Sequence, residues 1–281
     1  MPLLLLVILF AAFGGIASAA LAIVFLWVPE ERSARILPHF VSFATGALLG
    51  AALLALLPEA IEGAGTAGAH AIGFTLVLGL GVFFVIEKLV LWWHAHAHEN
   101  GAAAARSCPQ HADEPAPVSH DHGAHAGHVH ERDRASGVLV LVGDSLHNAL
   151  DGVLIAAAFL TNVPLGFVTT FAVAAHEIPH RVGDFAILVQ AGLSRQRALL
   201  LNLATGLASV VGAIVAYFGL RGTMGLLPYA LAFAAAGFLY IAVAGLIPGL
   251  HRRADPRTSA VQVLLASAGI AVIAWADWLT H

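Results

Sequence analysis

Two short runs set side chains that could do chemistry inside apolar stretches of this chain. His176-Glu177-Ile178-Pro179-His180-Arg181-Val182-Gly183-Asp184 sits inside an apolar stretch from about Leu165 to Val189, and Asp144, His147, Asn148 and Asp151 sit inside the apolar stretch before it. On a helix His176, His180 and Asp184 follow one another at single turns along one face, with Glu177 and Arg181 on the adjoining stripe. His147 and Asp151 repeat the one-turn spacing. Imidazoles, carboxylates and an amide converging from the two runs form a mixed N/O ligand set, which favours zinc, iron or manganese over calcium or potassium.

These runs must be positioned by the apolar stretches that carry them. Each stretch is long enough to span a bilayer as a helix, where an ionisable side chain near the centre costs at least ~2.5 to 3.5 kcal/mol. Interhelical hydrogen bonding alone would need one or two polar residues, whereas this pair of stretches holds about nine. Thr161-Asn162-Val163-Pro164 breaks the pattern between them, so the spacing predicts a helical hairpin. Counted from that turn, Asp151 and His176 lie at nearly equal distances, which brings the two clusters face to face close to the midplane. Pro179 is expected to interrupt the second helix at the site.

The remainder of the chain has the same membrane character. Of 281 residues 59% are hydrophobic and 11% charged, with a mean hydropathy of +0.85, values outside the range of a soluble domain. Apolar stretches at about 2–28, 36–57, 70–93, 137–160, 165–189, 198–220, 227–250 and 259–279 predict an all-α membrane protein, an eight-transmembrane-helix bundle with its metal site between spans 4 and 5. Residues 1–93 form spans 1 to 3, and 137–281 form spans 4 to 8 with the site hairpin. Between them 94–136 is polar and holds nine of the sixteen histidines, which predicts a disordered cytoplasmic segment able to act as a loose metal sink or sensor.

Ten basic residues fall in the loops after spans 1, 3, 5 and 7, and Arg221 alone falls on the other side, so both termini are expected outside the cytoplasm. The single cysteine, Cys108, excludes an internal disulfide. Glu59, beside Pro58 at the outer end of span 2, is a candidate entrance residue. Glycines such as Gly46, Gly206 and Gly212 permit close helix packing. Short loops and a high Ala and Gly content suggest a bacterial inner membrane, and no nucleic-acid partner is expected.

Three functions suit a metal site within a bundle: a redox centre, an intramembrane protease, or a transporter. No Cys or Met ligation accompanies the cluster, which argues against the first. His176-Glu177-Ile178-Pro179-His180 formally matches HExxH, the zinc-binding motif of metalloproteases. That reading leaves His147, Asn148 and Asp151 without a role and finds no central acidic residue in any later span. Transport uses both clusters. A six-span exporter of the cation-diffusion type shares the His-rich loop but has fewer spans.

The run from Asp144 to Gly152, with His147-Asn148-Ala149-Leu150-Asp151-Gly152, resembles the HNxxDG signature of the ZIP (Zrt/Irt-like) metal transporters. His176 to Asp184, continued by Phe185-Ala186-Ile187-Leu188, resembles the HExPHExGD signature of their LIV-1 branch, with Arg181 where the signature has its second glutamate. The resemblance implies uptake of divalent metal into the cytoplasm, with Zn2+ as the transported substrate and Fe2+, Mn2+ or Cd2+ in some members. It also implies a homodimer in the lipid bilayer whose site-bearing helices rock or slide. By position, His147, Asp151, His176 and His180 would form one metal site, and Asn148, Asp151, Glu177 and His180 its neighbour. Arg181, one turn from Glu177 and three residues before Asp184, can pair with either carboxylate and would compete with a second ion.

Overall fold

The computed structural model of the chain describes residues 2–20, 30–106, 123–251 and 255–279, and the regular elements among them are all helical. Helix α1 (Pro2–Ala12) opens into a wide π turn, Phe13–Ala17. Helix α2 (Glu30–Gly50) passes through a second wide turn, Ala51–Leu56, into α3 (Leu57–Arg106). Then come α4 (Gly123–Thr161), α5 (Val163–Gln190) and α6 (Arg195–Arg221). A short turn, Met224–Leu226, leads to α7 (Leu227–Tyr240), a third wide turn (Ile241–Leu246), α8 (Ile247–His251) and α9 (Pro256–Trp278). The middle of the His-rich segment, residues 107–122 with Cys108, lies outside the described residues, as do 21–29 and the basic pair Arg252 and Arg253.

Local chemistry sets the breaks. The wide turns at 51–56 and 241–246 each end two residues before a proline, Pro58 and Pro248. A proline ring has no N–H and excludes the carbonyl four residues back, and a widened turn absorbs that mismatch. Gly65 takes φ 67° and ψ 175°, which breaks α3 within the glycine-rich stretch after Glu62. Asn162 is extended and caps α5, its side chain accepting from the Leu165 amide at 2.8 Å, with Pro164 in the first turn. Asp255 caps α9 in the same way, and hydrogen bonds from Thr258 hold its carboxyl below the usual range.

Pro179 does not interrupt α5, contrary to the sequence expectation: the helix is continuous from Val163 to Gln190 with Pro179 inside it. Two one-turn contacts, the Glu177–Arg181 ion pair and the His180–Asp184 hydrogen bond, lie across and just beyond the proline.

Among the described residues five helical stretches are long and apolar enough to cross a membrane: Pro2–Ala20, Arg35–Leu89, Arg195–Arg221, Met224–His251 and Pro256–Trp278. Helices α4 and α5, which carry the ionisable cluster, are not among them. Large apolar side chains face outward all over the molecule, among them Leu5, Phe74, Leu200, Val215, Leu264 and Trp275. The polar ones are inside: Asp144, Asn148, Asp151, His176, Glu177, Arg181, Asn202 and Thr205 are all buried. This inverted distribution is that of a multi-pass integral membrane protein.

Lipid gives helices no hydrophobic drive to associate, so contact depends on small residues. A Cβ on Gly152 of α4 would lie 1.8 Å from the Ser209 carbonyl oxygen of α6, and one on Gly212 of α6 would lie 2.0 Å from that of Ala149. Helices α2 and α9 meet as closely, with Gly46 against the Ala266 carbonyl and Gly269 against that of Phe43. Backbone packs on backbone along both seams.

Candidate metal centre

Helices α4 and α5 leave the Asn162 turn side by side and present four ligand atoms to one point. His147 Nε2 and His176 Nε2 are 3.3 Å apart. Asp151 Oδ2 lies 3.7 Å from the first and 3.5 Å from the second. Glu177 Oε2 lies 3.8 and 3.9 Å from them. All four atoms fall within 4.8 Å of one another. Tetrahedral zinc with ligands at ~2.0 to 2.1 Å has ligand–ligand edges of ~3.3 Å, so the separations are those of a slightly open zinc cage.

The hydrogen bonding suits a cation as well. His176 Nδ1 lies 3.1 Å from the Ala172 carbonyl, which can only accept, so Nδ1 carries the proton and a neutral His176 turns the Nε2 lone pair to the cage. Asp151 Oδ2 and Glu177 Oε2 are buried and have no hydrogen-bond partner. Two buried carboxylate oxygens aimed at two imidazoles are costly unless a positive charge joins them.

A second group lies one turn further from the hairpin turn. His180 Nδ1, Asp184 Oδ2 and Asp144 Oδ1 converge there, with His180 to Asp184 at 2.8 Å and His180 to Asp144 at 3.9 Å. The 2.8 Å contact is shorter than a zinc tetrahedron's edge, so it is a hydrogen bond that orients His180. With Nδ1 held by Asp184, the other ring nitrogen of His180 is left for a ligand, the carboxylate–histidine arrangement common behind metal ligands. The His180 ring stacks on that of His147, centroids 5.3 Å apart, and its side chain is 43% exposed.

Arg181 is wholly buried behind the cage. Its Nε lies 2.8 Å from Glu177 Oε1, an ion pair without directed hydrogen-bond geometry. Nη1 donates to Asp144 Oδ2 at 2.8 Å, to the Asn202 carbonyl at 2.8 Å, to Asn202 Oδ1 at 3.1 Å and to the Thr205 hydroxyl. Nη2 donates to Asn148 Oδ1 at 2.6 Å. Of the two partners expected from the sequence, Glu177 is used and Asp184 is engaged by His180 instead.

The structure thus brings His147, Asp151, His176 and Glu177 together directly, sets His180, Asp184 and Asp144 beside them, and turns Asn148 to Arg181 and Asp144. Glu59 lies apart, accepting from Asn162 Nδ2 at 3.1 Å and so tying α3 to the hairpin turn. Sequence reasoning missed Asn202 and Thr205. Their signal was present: Asn202, Thr205 and Ser209, spaced by three and four, make a polar stripe on an otherwise apolar α6.

The family model described as "ZIP Zinc transporter" matches residues 2–277. Zinc transporter ZIP13 of Homo sapiens is 34% identical over 273 residues, covering 87% of this chain and 71% of that protein. Zinc transporter SLC39A7 of Rattus norvegicus is 31% identical, covering 92% of this chain and 69% of that protein. Zinc transporter zipt-7.1 of Caenorhabditis briggsae is 30% identical, covering 92% and 74%.

Proposed function

Because the chain belongs to the ZIP zinc transporter family, and is a membrane zinc transporter rather than an enzyme, we propose that its cargo passes between α4 and α5 through the cage of His147, Asp151, His176 and Glu177. One observation carries this reading: four ligand atoms from two helices, two of them buried and unpartnered, stand at zinc-like spacings. The local charge supports it, since Asp144, Asp151, Glu177 and Asp184 against Arg181 leave a formal −3 with neutral histidines. The intramembrane protease reading has no support from the relatives.

Eight spans follow if Arg35–Leu89 counts as two and α4 and α5 are counted with the other four stretches. Its 55 residues would measure about 80 Å as one helix, nearly three hydrocarbon thicknesses, and Gly65 breaks it among Glu59, Glu62 and Thr66. With α4 and α5 added to the apolar stretches, the distribution of arginines supports external termini and a cytoplasmic 94–136 segment. Asn162 then faces outward, and His180 with Asp184 and Asp144 stands on the cytoplasmic side of the cage. Zinc enters from the hairpin-turn side, is held by the four ligands with His180 and Asn148 at their border, and leaves inward past His180. Homodimerisation, a bacterial inner membrane and carriage of Fe2+, Mn2+ or Cd2+ rest on the resemblance and the composition, and belong to the same proposal.

Zinc uptake by proteoliposomes at limiting metal tests it. His176→Ala and Asp151→Ala each remove a ligand, and should slow uptake by at least the ~10 to 100-fold seen when the support of a ligand is lost. Both variants transporting at the parental rate would sink the reading.

A further inference from the structure

Arg181 occupies a site of its own. The acceptors around its guanidinium are Asp144 Oδ2 and Asn148 Oδ1 from α4, Glu177 Oε1 from α5, and the Asn202 amide and carbonyl oxygens with the Thr205 hydroxyl from α6. Two carboxylates, two amide oxygens, a main-chain carbonyl and a hydroxyl form the kind of oxygen shell that hard divalent cations take. Three helices contribute to it and the group inside is 0% exposed.

We propose that Arg181 is a tethered cation that fills this oxygen shell permanently, so that the α4–α5 hairpin carries one divalent ion, and that removing its charge opens a second divalent site among Asp144, Asn148, Glu177 and Asn202. The inference rests on the zinc cage proposed above and extends it.

Geometry and charge both support exclusion. The guanidinium nitrogens stand 2.6 to 2.8 Å from Asn148 Oδ1, Asp144 Oδ2, Glu177 Oε1 and the Asn202 carbonyl. A metal bonded to the same oxygens at ~2.0 to 2.6 Å would overlap those nitrogens. Arginine does not lose its proton in proteins, so the shell cannot be vacated by deprotonation. Glu177 joins the two sites, with Oε2 turned to the histidines and Oε1 to Arg181. The fixed charge therefore holds the Glu177 carboxylate in place whether or not an ion is bound.

The test is zinc location and count on the full-length chain. Crystals soaked in zinc and measured at the zinc edge should show one anomalous peak between α4 and α5 in the parent, among His147, Asp151, His176 and Glu177. Arg181→Glu should add a peak among Asp144, Asn148 and Asn202, and zinc titration should give one ion more per chain than the parent. The His-rich segment is common to both proteins and cancels in that difference. A peak in the oxygen shell of the parent, or an Arg181→Glu protein that folds and gains no ion, overturns the proposal. Should Arg181→Glu fail to fold, the parent map still decides, and Arg181→Lys adds a check, since a retained positive charge should leave the count unchanged and a gained ion would overturn the exclusion. Absence of the parental peak at His147 and His176 would instead refute the zinc cage, with the oxygen shell judged separately by the gain in Arg181→Glu.

Discussion

Replacing Gly152 with alanine tests whether the proposed metal centre depends on the close approach of α4 and α6. The residue follows Asp151 directly, and an added Cβ would meet the Ser209 carbonyl oxygen at 1.8 Å, its carbon at 2.7 Å and the Ala213 amide nitrogen at 2.8 Å. Ordinary contact begins near ~3.4 Å, so the helices would have to part by about 1.6 Å along that line. Arg181 bridges the same two helices, reaching Asn148 Oδ1 at 2.6 Å on α4 and the Asn202 carbonyl at 2.8 Å on α6. Stretching either contact by that amount takes it past ~4 Å, beyond hydrogen bonding. Overpacking costs ~1 to 3 kcal/mol and a lost hydrogen bond to a charged group ~1.5 to 3, which together give ~2.5 to 6 kcal/mol. Thermal unfolding in detergent and zinc uptake in proteoliposomes should both fall. Gly183→Ala is the control, because a Cβ there meets nothing within 4 Å, and alanine in a helix is favoured by ~0.5 to 1 kcal/mol. Parental stability and uptake in Gly152→Ala, or equal losses in both variants, would refute the reasoning.

Two further outcomes follow from the site. Asp184→Ala frees the Nδ1 of His180, which it holds at 2.8 Å; uptake at limiting zinc should drop ~10 to 100-fold, and an unchanged concentration dependence would remove His180 from the pathway. Asn162→Ala removes both the cap of α5 and the tie to Glu59; a loss of ~0.5 to 2 kcal/mol is expected, seen as faster amide exchange in the first turn of α5, and parental exchange there would show that the cap is dispensable.

The hairpin, its turn and its ionisable residues were legible because each has a local signature. One-turn spacing placed His147 with Asp151, and Asn162 with Pro164 marked the turn. Spacing along one helix does not state which neighbour a side chain meets. It set His180 in line with His176, yet the bond to Asp184 turns His180 Nδ1 away while Glu177, one position round the helix, brings Oε2 to the histidines. Arg181 shows the same limit. Its reach to Glu177 is a property of α5, but Asp144, Asn148, Asn202 and Thr205 come from α4 and α6, and helix pairing is settled by glycines whose partners no periodicity names. Pro179 was misread because its effect on the backbone was weighed alone, without the Glu177–Arg181 ion pair across it and the His180–Asp184 hydrogen bond beyond it.

Small residues and buried charge occur together here for a physical reason. A guanidinium has five N–H donors, and in a dry interior each must find an acceptor. Helix α5 offers Glu177 as an ion-pair partner and α4 offers Asp144 and Asn148 as acceptors, but the Asn202 carbonyl is a main-chain group and reaches Arg181 only if the backbone of α6 comes close. Gly152 and Gly212 permit that approach. Helix α6 therefore contributes none of the four atoms of the proposed cage and still holds the arginine behind it. Pulling it from the hairpin would strand a buried charge, at ~3 to 5 kcal/mol. Helix α2 meets α5 differently, through Phe43 set edge-on to Phe171 with ring centroids 6.2 Å apart, a contact without charge whose geometry is worth only ~0.5 to 1.5 kcal/mol beyond the area it buries. The charged contacts of Arg181 therefore join α4, α5 and α6 at one point, whereas the Phe43–Phe171 contact between α2 and α5 carries no charge.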